Sequence, residues 1–161
     1  MSIGILVESL QKLIKLHEQL FKIAEKKTEL IKNNELEELQ QLVKVETKYV
    51  QAVRQIDKAR TQAVDELLDG KSDERTLTTC MRFVPKESAE TLQRLFEQLS
   101  ALLSQLKRQN DLNQQLIQHS LQFVNFSIDM LLPEPDEFNY ESPTKVDRNV
   151  NQGRFIFDSK A

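Results

Sequence analysis

The sequence predicts an all-α protein: an antiparallel bundle of three long helices, with a short connector helix and an irregular C-terminal tail. Three observations carry this. No glycine or proline occurs from Ile5 to Asp69, or from Lys86 to Leu132. Leu, Gln, Glu and Lys dominate both stretches, and such side chains lose little rotamer freedom in a helix. Apolar residues in both recur every three or four positions, the period of one helix face. Three Gly and four Pro among 161 residues are too few for the turns of a β-sandwich or barrel.

The first helix is predicted over residues 2–32. Leu6, Leu10, Leu13, Leu20 and Ala24 form one apolar row, and Val7, Ile14, Phe21 and Ile31 a neighbouring one, a stripe wide enough for two partners. Asn33-Asn34 breaks the chain, with Asn34 expected to N-cap the second helix, over residues 35–69. The seam of that helix reads Leu36, Leu39, Leu42, Tyr49, Val53, Ile56, Ala63 and Leu67. A two-residue break between such helices favours an antiparallel hairpin. Gly70 should stop the second helix in a left-handed conformation.

Residues 71–84 form a connector, with Ser72 or Asp73 expected to cap a short helix ending at Arg82. Pro85 then opens the last helix, which runs to Leu132 and is ended by Pro133 and Pro135. Its first half has a tight seam of Leu92, Leu95, Phe96, Leu99, Leu102, Leu103 and Leu106, followed by Asn110 and Asn113. Residues 1–132 are thus read as the bundle domain. Residues 133–161 hold three of the four prolines and read as a flexible or partner-dependent tail. Phe138, Tyr140 and the Phe155-Ile156-Phe157 knot stand out in it.

Helix lengths point to a binding surface. The last helix, at about 70 Å, should outrun the second, at about 54 Å, by roughly 11 residues. The overhang, about Gln122 to Leu132, is apolar on all sides, and such a helix needs a cover. One cover is a protein partner along Leu116, Ile117, Leu121, Val124, Ile128 and Leu131, which share a face. Phe123, Phe126 and Met130 are assigned to the tail, through Tyr140, Phe155 and Phe157, or to another partner. Cover by the first helix or the connector, and self-association through the last helix, are the other readings.

Composition and spacing argue against other classes. A net charge of −3 is a poor match for nucleic acid, whose affinity comes from paired phosphates. No run of about 18 apolar residues exists to enter a membrane. Glu8 interrupts the apolar first residues and no basic segment precedes them, so an export signal is not expected and the chain is read as cytoplasmic. Gly70-Lys71-Ser72 resembles the end of a phosphate loop, but Asp65 stands where the motif needs glycine. His17 lies on the apolar seam and is expected to be a hydrogen-bonded core residue rather than a ligand. His119 has no triad partner, and Cys80 reads as a small apolar side chain. No catalytic residue, metal site or cofactor is expected. Arg60 is expected to meet Glu8, an ion pair that would fix register, with Glu46, Asn110 and Asn113 in similar roles.

The last helix carries Asn110-x-x-Asn113-x-x-Leu116-Ile117, then Ser120-Leu121-x-Phe123-Val124. This resembles the C-terminal signature of FlgN-like flagellar export chaperones. Leu30-Ile31, Asn33-Asn34, Glu35, Leu36, Leu39, Glu46 and Arg60 resemble that family's hairpin, so the likeness spans about residues 3–132. It implies a cytoplasmic chaperone, not an enzyme. Such a chaperone binds the C-terminal segment of hook-associated (hook-filament junction) proteins, keeps them unpolymerised and delivers them to the flagellar type III export gate. The alternative from the residues alone is a dimeric coiled-coil adaptor without a chaperone role.

Overall fold

The computed structural model describes residues 2–132. They form α1 (Ser2–Lys32), α2 (Leu36–Leu68), α3 (Leu77–Arg82) and α4 (Lys86–Leu131). Among the described residues there is no strand. The chain is all-α, as expected, and α1 packs against both α2 and α4. The two long neighbours do not pack on each other; α3 bridges them at one end.

The turn between α1 and α2 differs in detail from the expected cap. Asn34 has φ 59°, the left-handed conformation that asparagine tolerates better than most residues. The Glu35 amide donates to the Leu30 carbonyl at 3.0 Å and the Asn34 amide to that of Ile31 at 3.2 Å. This is a Schellman closure, so Asn34 ends α1 instead of capping α2. Glu35 occupies the cap of α2 without a side-chain bond, and Glu37 and Glu38 sit in its first turn.

Gly70, with φ 69°, takes the left-handed position as expected. The Lys71 amide donates to the Leu68 carbonyl at 2.9 Å across Asp69-Gly70, a type II turn. A Cβ on Gly70 would meet open space. Gly70→Ala should therefore cost only the left-handed penalty, about 1 kcal/mol, read as a shift in the urea midpoint. The connector cap also differs: Thr76, not Ser72 or Asp73, accepts the Thr79 amide at 3.1 Å. Ser72 Oγ accepts the Glu74 amide instead.

The main core cluster lies toward the end that α3 closes, and Ile23, Ala24 and Leu30 of α1 are buried beyond it. Leu6, Leu10, Leu13, Ile14 and Leu20 of α1 meet Val53, Ala63, Val64, Leu67 and Leu68 of α2, with Leu77 and Cys80 of α3 and Leu92, Leu95 and Leu99 of α4. All the buried apolar residues of α2 lie from Val53 onward. In its first half, Leu39, Leu42 and Tyr49 are half-buried and Leu36 is exposed. The seam read from the sequence is present throughout; its second half is buried and its first half is only partly covered.

His17 is fully buried beside this core. Its Nδ1–H donates to the Leu13 carbonyl at 2.6 Å. Burial holds the ring's pKa below the usual 6.5, against the opposing pull of the Leu13 bond and Asp57. The unfolded chain thus binds a proton that the folded chain resists. Stability should be full above about pH 6.5 and fall as the pH drops below it, until the folded ring protonates. Urea midpoints between about pH 7 and 5 should decline less steeply in His17→Gln than in the wild type. Burial likewise raises the Cys80 thiol's pKa, and Cys80 packs as a small apolar residue.

The expected Arg60–Glu8 pair does not form. Arg60 is buried and its Nε–H donates to Asp57 at 2.7 Å, one turn away on its own helix. Glu8 pairs with Lys12 on the exposed side of α1. The cause is helical phase: Glu8 stands two residues after the buried Leu6, on nearly the opposite side. The hairpin is held elsewhere. Lys27 Nζ meets Glu46 at 2.7 Å, and Ser2 Oγ donates to Glu66 at 2.9 Å.

Candidate functional site

The candidate surface is the second half of α4, and the register of α4 on α1 leaves it exposed. Gln11, Ile14, Lys15 and Glu18 line one shallow groove with Leu95 and Gln98. Further along, Asn113 Nδ2 donates to the Ala24 carbonyl at 2.8 Å. The two helices therefore run parallel, with α2 antiparallel to α1. α4 has 46 residues against 31 in α1. Starting level with α1, it overshoots by about 22 Å at 1.5 Å per residue.

A buried polar clamp marks the border. The Thr28 hydroxyl lies between Asn113 Oδ1 and the Ala24 carbonyl, and it accepts from Gln109 Nε2 at 2.6 Å. Asn113 and Thr28 are buried, whereas Asn110 is exposed and takes no part. The register role expected of the two asparagines thus falls to Asn113 alone. Thr28 and Gln109 were missed; a threonine on the apolar stripe of α1, matched to an asparagine on α4, was the available cue. Asn113→Ala should cost about 1–2 kcal/mol by removing two cross-helix bonds, measured by urea denaturation.

Beyond Asn113 no residue of α4 is buried. Leu116 is half-buried, while Ile117, Leu121, Val124, Ile128 and Leu131 are all exposed, Leu131 to 82%. Phe123 and Met130 are exposed to 71% and 72%, and Phe126 is also open. The exposed stretch begins about five residues earlier than the Gln122 predicted. The reason is that α4 is measured against the shorter α1, not against α2. Tyr140, Phe155 and Phe157 lie outside the described residues.

At about 100° per residue, the exposed residues fall on two sides. Ile117, Leu121, Val124, Ile128 and Leu131 continue the side on which Leu95, Leu99, Leu106 and Asn113 face α1. Phe123, Phe126 and Met130 lie on the other. Residues 112–132 contain one formal charge, Asp129. Such a surface suits apolar, uncharged contacts. Among the described residues no cluster of His, Cys, Asp and Glu could hold a metal ion, and no helix is long and apolar enough to cross a membrane.

The fold and this surface describe a helical bundle with one sealed end and one exposed, apolar end. The FlgN protein family model matches residues 1–147. The chain belongs to the FlgN family of flagellar chaperones. The match runs past the bundle into residues 133–147, further than the likeness read from the sequence. The chain is also 36% identical, over the whole length of both chains, to an uncharacterized protein, YvyG, of Bacillus subtilis (strain 168). No solved structure matches it.

Proposed function

We propose that this protein is a cytoplasmic export chaperone for hook-filament junction proteins. It binds their C-terminal helical segment on Leu116, Ile117, Leu121, Val124, Ile128 and Leu131, prevents polymerisation and delivers them to the type III export gate. The observation that carries the reading is the apolar second half of α4, exposed among the described residues, in a member of a flagellar chaperone family. A subunit built to polymerise through amphipathic terminal helices needs such a surface to cover them beforehand. The role is binding, with no catalytic step and no cofactor.

The test is native mass with and without a synthetic peptide of a junction protein's C-terminal segment. A monomer that forms a one-to-one complex supports the chaperone. A stable dimer indifferent to peptide supports the adaptor reading, which the exposed Phe123, Phe126 and Met130 side of α4 favours. We assign that second side to the export machinery or to the tail. Deleting residues 134–161 separates these: tighter peptide binding identifies the tail as an internal competitor. Lost export with unchanged affinity identifies docking on the machinery.

A further inference from the structure

We infer that the bound partner helix acts as a surrogate for α1: it takes up the line of α1 beyond Lys32 and packs on the continuation of the same α4 seam. This rests on the chaperone reading above and adds the geometry and chemistry of the partner. The seam continues an interface that the molecule has already formed. Leu92, Leu95, Leu99 and Asn113 of α4 are buried, and the cross-helix bonds at Asn113 fix the side that faces α1. The same side of the same unbroken helix then carries Ile117, Leu121, Val124, Ile128 and Leu131. What changes at that point is not α4 but its neighbour. Thr28 stands against Asn113, so one turn later α1 ends at Lys32, level with Ile117.

The chain cannot extend α1 into this space. The Schellman closure at Asn34 turns it back into α2, and its carbonyls at Leu30 and Ile31 are already satisfied. The vacant seam, about 22 Å long, accommodates roughly four turns of helix. Its chemistry specifies the occupant. The only formal charge in residues 112–132, Asp129, lies on the side away from the seam, and the flanks are Gln114, Gln118, Asn125 and Ser120. A partner helix with Lys, Arg, Asp or Glu in its stripe would bury an unpaired charge. The fitting partner has Leu, Ile or Val at spacings of three and four, with neutral polar neighbours, as a helix of another protein. The polar clamp at Thr28, Gln109 and Asn113 keeps that helix from displacing α1, because an apolar stripe sliding past Asn113 would leave its amide unpaired. Phe123, Phe126 and Met130 stay open, so a second contact can form while the first is occupied.

The experiment uses the full chain and a synthetic peptide of about 20 residues copying the C-terminal helical segment of a junction protein. Affinity is measured calorimetrically for the wild type, Ile117→Asp, Leu121→Asp and Phe126→Asp, each confirmed folded by circular dichroism. Surrogacy predicts a loss of about 30-fold or more for Ile117→Asp and Leu121→Asp. Phe126→Asp should stay within about threefold of wild type. A photo-crosslinker at Leu121 should capture the peptide, and one at Phe126 should not. Tight binding lost only in Phe126→Asp overturns the inference and leaves the chaperone reading standing. Absence of any binding to the wild type overturns both. Two results would assign the seam to another occupant and overturn the inference: a peptide-free dimer that Leu121→Asp converts to monomer, or a monomer whose Leu121 methyls are shielded from a soluble paramagnetic probe. The first makes the occupant a second copy, the second the chain's own residues 133–161.

Discussion

Leu92→Ala is expected to destabilise the protein by about 3–4 kcal/mol. Leu92 is completely buried and joins the cluster in which α1, α2, α3 and α4 all meet. Truncation loses the transfer free energy of three carbons and leaves a cavity that four elements would have to move together to fill. Domains of this size have total stabilities of about 5–15 kcal/mol, so the loss should be visible as a large drop in the urea midpoint. Leu131→Ala is the contrast. That side chain is 82% exposed in the free protein, and its loss should leave the midpoint nearly unchanged. A similar shift in both variants would mean that the second half of α4 is covered in the free protein.

Val124→Asp should have the complementary effect, weakening client binding by about 2 kcal/mol or more with little effect on folding. Val124 is half exposed, and among the described residues its side of α4 faces no other element. An aspartate there remains hydrated in the free chain, so the bundle tolerates it. In the complex the carboxylate would be pressed against an apolar stripe with no cation nearby, since residues 112–132 contain no Lys or Arg. It would lose water without gaining a partner. Calorimetry on a variant with wild-type helical signal measures this directly. Unfolding of the variant would show that Val124 contributes to the bundle.

Much of the fold was legible because its determinants are local. The bounds of α1 and α4 follow from Gly, Pro and Asn positions, and the buried rows Leu6-Leu10-Leu13 and Leu92-Leu95-Leu99 follow from period alone. What depends on three-dimensional register was less accessible. Arg60 and Glu8 share a plausible level along the hairpin but not a side. Asn110 and Asn113 look equivalent in sequence, yet only Asn113 points at α1. The exposure of Leu36 was not foreseen, because seam spacing shows which residues share a side and not how far the neighbouring helix extends. The overhang was legible for a different reason. Its apolar residues surround the helix, a pattern for which no single neighbour suffices.

The most direct measurement of the central claim is amide hydrogen exchange along α4 with and without a junction-protein peptide. In the free protein, amides before Asn113 should be protected by the packed bundle, and those from Ile117 to Leu131 should exchange much faster. Adding the peptide should slow exchange between Leu116 and Leu131 while leaving the sealed half, around Leu92 and Leu99, unchanged. Protection appearing instead on the first half of α2, or nowhere on the chain, would contradict the account.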